Sequence, residues 1–145
     1  MIGGLDFKQV HALISQIGPL NKYFRGIITD FHQSMLQGSA GFWIYYIESE
    51  PIGHYICIFE KQSGDIYIFD SFAQPPSYYG LYIESKTNEF PIQLDTSQNC
   101  GIFCLFFAFH STYLPPSTVV DRFFQKNNYQ FNEKVVKSWL VNFVA

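Results

Sequence analysis

Cys100, His54 and Asp70 are the side chains whose types could together perform covalent chemistry. Cys100 lies in Gln93–Cys104, Gln-Leu-Asp-Thr-Ser-Gln-Asn-Cys-Gly-Ile-Phe-Cys, a polar stretch that turns into an unbroken apolar run through Phe109. A polar loop feeding an apolar helix puts Cys100 at or beside a helix N-terminus. Unpaired backbone N–H groups and the helix dipole favour an anion there, hence the thiolate. The thiolate is the nucleophilic form. The plainer alternative is a small buried cysteine, which is how most free cysteines behave.

The acid–base partners come from a predicted hairpin. Lys61-Gln62-Ser63-Gly64 is a turn cluster between two apolar runs, His54–Phe59 and Asp65–Phe69. With the turn at 61–63 or 61–64, His54 lies opposite Asp70 or Ser71 at the same end of the sheet. Opposed residues of an antiparallel pair stand close enough for an Nδ1–H to carboxylate bond, which would fix the ring and support the imidazolium. A one-residue slip would send one side chain to the other face, and a surface histidine is the ordinary alternative. Asp65 is a rival carboxylate, but this pairing leaves it at the turn, far from His54. A cysteine, a histidine and an acid are the parts of a thiol hydrolase. The tetrahedral oxygen then needs preorganised donors. The Cys100 backbone N–H is one, and Gln93 and Gln98 are the local side-chain candidates for a second.

Several elements must position these groups. Residues 6–17 have helical spacing at Phe7, Val10, Leu13, Ile14 and Ile17, with Asp6 as N-cap and Gly18-Pro19 as a stop. From Asn21 to Ala40 the pattern is weak, and Asp30 and His32 read as surface residues. Phe42–Ile47 is the first of three strands, separated from the His54 strand by Pro51 and Gly53. Ala73–Tyr79, with Pro75-Pro76, reads as a loop, and a further extended piece is expected at Tyr82–Ile83 or Pro91–Leu94. Cys100–Tyr113 is apolar on nearly all faces, which marks a central helix. A short helix at 118–126 and a final one capped by Asn132, with Val135, Val136, Trp139, Leu140 and Phe143 on one face, complete the chain. The expected class is α+β, a central, mostly antiparallel sheet packed on a buried helix that carries the cysteine.

The totals restrict the function classes. At 145 residues a single domain over 1–145 is expected, and 48% apolar against 14% charged residues argues for a packed core, not disorder. Sixteen Phe and ten Tyr make that core aromatic. A net charge of −3, with Lys and Arg scattered, gives no electrostatic basis for nucleic-acid binding. No apolar run is long enough to span a bilayer and no signal-peptide pattern opens the chain, so neither a membrane protein nor a secreted one is expected. Three cysteines, two of them only four residues apart, fit a reducing intracellular setting. Cys57 and Cys104 read as buried and inert, and His110 as exterior or paired in the core.

Taken in order, these residues resemble the adenovirus endopeptidase (adenain) family of cysteine proteases, of the same clan as the SUMO-deconjugating proteases. The matching pieces are Gly53-His54-Tyr55, Tyr67-Ile68-Phe69-Asp70-Ser71-Phe72, and Gln93 followed after six residues by Cys100-Gly101-Ile102-Phe103-Cys104. Tyr23-Phe24-Arg25-Gly26 and the first helix fit as well, so the likeness covers about residues 5–113. It implies an adenain-like fold, the catalytic set His54, Asp70, Gln93 and Cys100, and Gln93 rather than Gln98 as oxyanion donor. It further implies a monomeric virus-type endopeptidase, in the infected cell or the particle, that cleaves precursor proteins at Gly-containing sites. There are departures. The family often has His-Trp where this chain has His54-Tyr55, and commonly Glu where it has Asp70. Residues 73–92 are much shorter than the family segment that carries the cysteine for a disulfide-linked activating peptide. The chain is acidic, whereas the adenovirus enzymes are basic and use DNA. Neither a peptide nor a DNA activator is therefore carried over, and the chemistry itself requires no cofactor.

Two other enzyme or binding readings use the same residues. A ubiquitin- or SUMO-like deconjugating protease would employ the same triad, but this compact chain offers little extra surface to grip a ubiquitin fold. An inactive relative serving as a particle component would have no need of an intact set. A metal site at Cys100 and Cys104 with Cys57 or His54 has poor spacing for structural zinc.

Overall fold

The computed structural model describes residues 5–48, 53–94 and 98–143. The chain is α+β: a mixed five-stranded sheet in the order β1-β2-β3-β4-β5, with helices gathered on one face. The strands are β1 (Phe24–Ile28), β2 (Gly41–Ile47), β3 (His54–Glu60), β4 (Ile66–Phe69) and β5 (Lys86–Thr87). The helices are α1 (Phe7–Gln16), α2 (Gly18–Tyr23), α3 (Cys100–Ser111), α4 (Pro116–Phe123) and α5 (Tyr129–Val141). The three central strands are antiparallel, while β1 joins β2 and β5 joins β4 in parallel. The mostly antiparallel sheet expected from sequence thus describes its centre and not its edges.

Alternation along the strands divides the core in two. Phe42, Ile44, Tyr55, Cys57, Phe59, Tyr67 and Phe69 face the helices. Trp43, Tyr45, Ile56, Ile58, Ile66 and Ile68 face the other way, covered by Phe31, Met35, Leu36, Tyr79, Leu81 and Ile83 from connecting segments. Both faces of β3 are therefore covered, and all seven of its residues are buried. The α3 helix lies under the sheet and against α4 and α5, which explains why apolar residues surround it on every side.

Several sequence expectations need correction. Gly18-Pro19 ends α1 but also opens α2, because proline suits the first turn of a helix, where its missing N–H costs nothing. Pro76–Tyr79 is a 3-10 turn within the expected loop. Two strands join the three expected: Phe24–Ile28, in the stretch whose pattern is weak, and, in place of Tyr82–Ile83 or Pro91–Leu94, Lys86–Thr87, a two-residue edge too short to leave a period. The helix expected at 118–126 starts earlier, at Pro116, and ends at Phe123. Asn128, not Asn132, caps α5, accepting from the Phe131 N–H at 3.2 Å, while Asn132 is fully buried within it. The expected break at Pro51 lies outside the described residues.

The hairpin register also differs. Cys57 faces Phe69, where the shorter turn would have set it against Tyr67 or Ile68. The turn takes Asp65 as well: Lys61 N–H donates to Asp65 C=O at 2.9 Å and Gly64 N–H to Lys61 C=O at 2.9 Å. Gly64 has φ +93°, a conformation glycine adopts without a Cβ penalty. Asp65 is thus a turn residue, remote from the far end of the sheet.

At the turn end of β3, Glu60 is 1% exposed and forms a polar node that the sequence did not reveal. It accepts from Arg25 at 2.6 Å and from the backbone N–H groups of Gln37 and Gly38. Arg25 also lies over the Trp43 ring, and a side chain at Gly41 would collide with the guanidinium. This node fixes the segment between β1 and β2 to the sheet.

Candidate functional site

The sheet end opposite the Glu60 node holds the candidate residues. α3 begins at Cys100, as the loop-to-helix pattern predicts, so its backbone N–H is one of the unpaired donors of a first helical turn. Asn99 just before it donates to Glu133 Oε1 of α5 at 3.1 Å, tying the helix start to the last helix. Cys100 is 5% exposed, and its Sγ accepts from the Tyr55 N–H at 3.4 Å. One turn on, the Cys104 thiol donates to the Tyr55 C=O at 3.4 Å. The helix start is therefore pinned to the residue that follows His54.

His54, the first residue of β3, meets Asp70, the residue just after β4. They are not directly opposed, because the ladder ends at Cys57 and Phe69, yet the alternation still puts both on one side. The bond joins His54 Nε2 to Asp70 Oδ1 at 2.7 Å, with both residues buried. Sequence pairing had assigned Nδ1 to the acid, so the ring is used the other way round. His54 Nδ1 is buried with no hydrogen-bond partner of ordinary geometry. The ring lies flat on Phe72, centroids 4.3 Å apart at 12°.

Asp70 is held from every side. Its Oδ1 also accepts from the Phe72 N–H at 2.9 Å, and its Oδ2 from the Gln74 N–H at 3.0 Å and the Tyr79 hydroxyl at 2.6 Å. Asn88 clamps its backbone, accepting from the Asp70 N–H at 3.0 Å and donating to its C=O at 2.7 Å. Sequence reasoning missed the roles of Phe72, Tyr79 and Asn88, and gave Asn132 a capping role in place of its buried bond to the Ile92 C=O. The buried, uncharged Asn88 and Asn132 lie in polar contexts that give no period, and their partners are distant in the chain. A tyrosine following Pro75-Pro76 in a stretch bound to fold back near Asp70 was the one available hint.

Gln93 is 1% exposed. Its N–H and that of Ile92 both donate to the Ser71 C=O, at 3.2 and 2.7 Å, and Asn132 of α5 donates to the Ile92 C=O at 3.0 Å. The segment carrying Gln93 is thus fixed to the residue after Asp70 and to the last helix. Two cavities flank these groups. One, about 1040 Å³, is lined by Cys100, Gln98, Gly53, Tyr46 and Tyr55, among others. The second, about 740 Å³, is lined by His54 and Gln93. Ile47 and Tyr79 line both. A side chain at Gly53 would collide with the Tyr46 ring, so glycine here keeps the entrance beside His54 open. Gln93 and Gln98 therefore border different cavities, the first with the imidazole and the second with the sulfur.

Burial alone would pull the His54 pKa down. The hydrogen bond to Asp70 and the adjacent Cys100 sulfur reverse this and raise it from 6.5 to about 9. The folded protein thus holds a proton on His54 more tightly than the unfolded chain does. The stabilisation is complete below about pH 6.5 and is lost as pH rises through about 9. Denaturation midpoints should accordingly fall between these limits, and the fall should shrink in His54→Gln; equal slopes in both proteins would contradict the assignment. Burial pushes the Cys57 and Cys104 thiols well up, leaving them inert, as expected from sequence. His110 is buried among Phe106, Phe123 and Trp139, bonded through Nδ1 to the Phe106 C=O at 2.9 Å, and burial lowers its pKa. Asp30 and His32 are exposed and form an ion pair with each other at 2.9 Å. Among the described residues no group of three His, Cys, Asp or Glu is placed to hold a metal ion, and no helix is long and apolar enough to cross a membrane.

An α+β chain with a buried His–Asp pair and a cysteine at the start of a central helix has the parts for nucleophilic chemistry. No known family model matches the sequence, and no curated protein is significantly similar to it.

Proposed function

We propose that the protein is a cysteine endopeptidase with an adenain-like fold, cleaving viral precursor proteins at Gly-containing sites. The observation that carries this reading is the buried His54–Asp70 bond, which leaves the second ring nitrogen of His54 for the neighbouring Cys100 sulfur. In the reaction the Cys100 thiolate attacks the scissile carbonyl and a C–S bond forms. The tetrahedral oxyanion is met by the Cys100 N–H and the Gln93 side-chain amide. His54, protonated, gives its proton to the leaving amine as the C–N bond breaks. Water, deprotonated by His54, then hydrolyses the thioester and releases the acid. Asp70 holds the ring in place through its bond to Nε2.

The close approach of the Tyr46 ring to Gly53, where no Cβ fits, supports small residues before the scissile bond. Hydrolysis of a peptide library, with cleavage sites read by mass spectrometry, tests the reading. Cleavage after glycine is the expected result; no cleavage of any peptide, together with no labelling of Cys100 by a thiol-reactive peptide, would overturn it. Gln93→Ala should lower kcat by about 10²-fold, as for one lost oxyanion donor. Gln98→Ala should cost far less, and the reverse order would reassign the donor.

A further inference from the structure

The second cavity makes a claim about substrate that goes beyond the acyl side of the bond, and it rests on the endopeptidase reading. It shares His54 and Gln93 with the catalytic set, yet Cys100 lines only the other cavity. The imidazole must stand on the side from which the amine departs, since it delivers the proton there. What fills the second cavity is therefore the part of the substrate that follows the scissile bond.

The walls of the two cavities differ in chemistry. Asp6, Lys8 and Glu48 line the one with Cys100. Among the described residues and apart from His54, the other is lined by none that is charged at neutral pH: its walls are Ile47, Phe72, Tyr78, Tyr79, Pro91, Leu94 and Tyr129, with the amides Gln74 and Gln93. Two of these are large apolar side chains left open at the surface, Tyr78 at 69% and Leu94 at 51% exposed. An ammonium brought here would lose water without gaining an opposite charge, and the one cation a carboxylate could meet, His54, is already paired with Asp70. An apolar side chain would cover Leu94 and the tyrosine rings and release their water.

We propose that this cavity is a specificity site for a large apolar or aromatic residue immediately after the scissile bond. Leu94 and Tyr78, from two separate connecting segments, determine that preference from the rim. The occupant is an extended peptide segment of a protein substrate.

The test uses the full chain and peptides randomised on both sides of the cleaved bond, followed by matched pairs carrying Phe, Leu, Gly, Asp or Lys at the first position after it. Phe or Leu should exceed Asp and Lys in kcat/KM by about tenfold or more, the size of effect expected from one filled apolar pocket. In Leu94→Ala and in Tyr78→Ala the Phe-to-Gly ratio should collapse toward unity. The two variants are independent, and both residues are exposed enough that folding survives either change. A flat profile, a preference for a charged residue, or unchanged ratios in both variants overturns the proposal while leaving the endopeptidase reading intact. Absence of all cleavage and of Cys100 labelling removes both.

Discussion

Cys100→Ala abolishes peptide hydrolysis and covalent labelling, and His54→Ala lowers kcat/KM by at least about 10⁴-fold; these are the largest activity effects expected. The reason lies in how differently the two side chains are replaceable. Nothing else near the start of α3 can supply a thiolate: Cys104 and Cys57 are buried at 0% exposure, and burial raises both thiols. His54 is the base bonded into this site, and the neighbouring Tyr79 hydroxyl, whose pKa burial raises, already donates to Asp70. Circular dichroism and melting should show both variants folded, Cys100→Ala with little loss because it removes one atom and His54→Ala with a lower midpoint because it breaks the buried bond to Asp70. Hydrolysis surviving in Cys100→Ala at more than a hundredth of the wild-type rate would dismiss the sulfur as nucleophile.

Phe107→Ala is the largest stability effect expected, a loss of about 4 kcal/mol. Phe107 has no exposed surface and stacks on Phe69 with centroids 4.6 Å apart at 9°. It also stacks on Tyr67 at 5.4 Å and meets Phe59 edge-on at 6.4 Å. Its removal opens a cavity between α3 and the two strands that carry His54 and lead to Asp70, and rigid neighbours on both sides prevent collapse. Such a loss is a large share of the about 5–15 kcal/mol that holds a domain of this size. Urea unfolding should show a lower midpoint with little change in slope. Tyr113→Ala, at a residue 60% exposed, should stay within about 0.5 kcal/mol and serves as the comparison. A Phe107→Ala loss below about 1 kcal/mol would mean that the helix does not depend on this contact.

The helix start at Cys100, the strand beginning at His54 and the acid at Asp70 were legible because each sits where a local pattern changes: loop to apolar run, break to strand, strand to turn. What escaped was set by long-range geometry. The hairpin turn absorbed Asp65 through a backbone bond that no side chain announces, and the register moved with it. Which imidazole nitrogen meets the acid depends on the ring orientation fixed by Phe72, and no spacing encodes that. Gly18-Pro19 reads equally as a helix end and a helix start, and here it is both. Asn88 and Asn132 gained their places from backbone groups far away in the chain, Asp70 and Ile92.

The wrapping of residues 70–74 around their own carboxylate carries a final consequence. Two peptide groups and a phenol reach Asp70 at the length of one methylene, so a glutamate grafted here would overshoot all three and crowd the Phe72 ring. Acid length and loop length are thus matched parts, and changing either calls for changing the other.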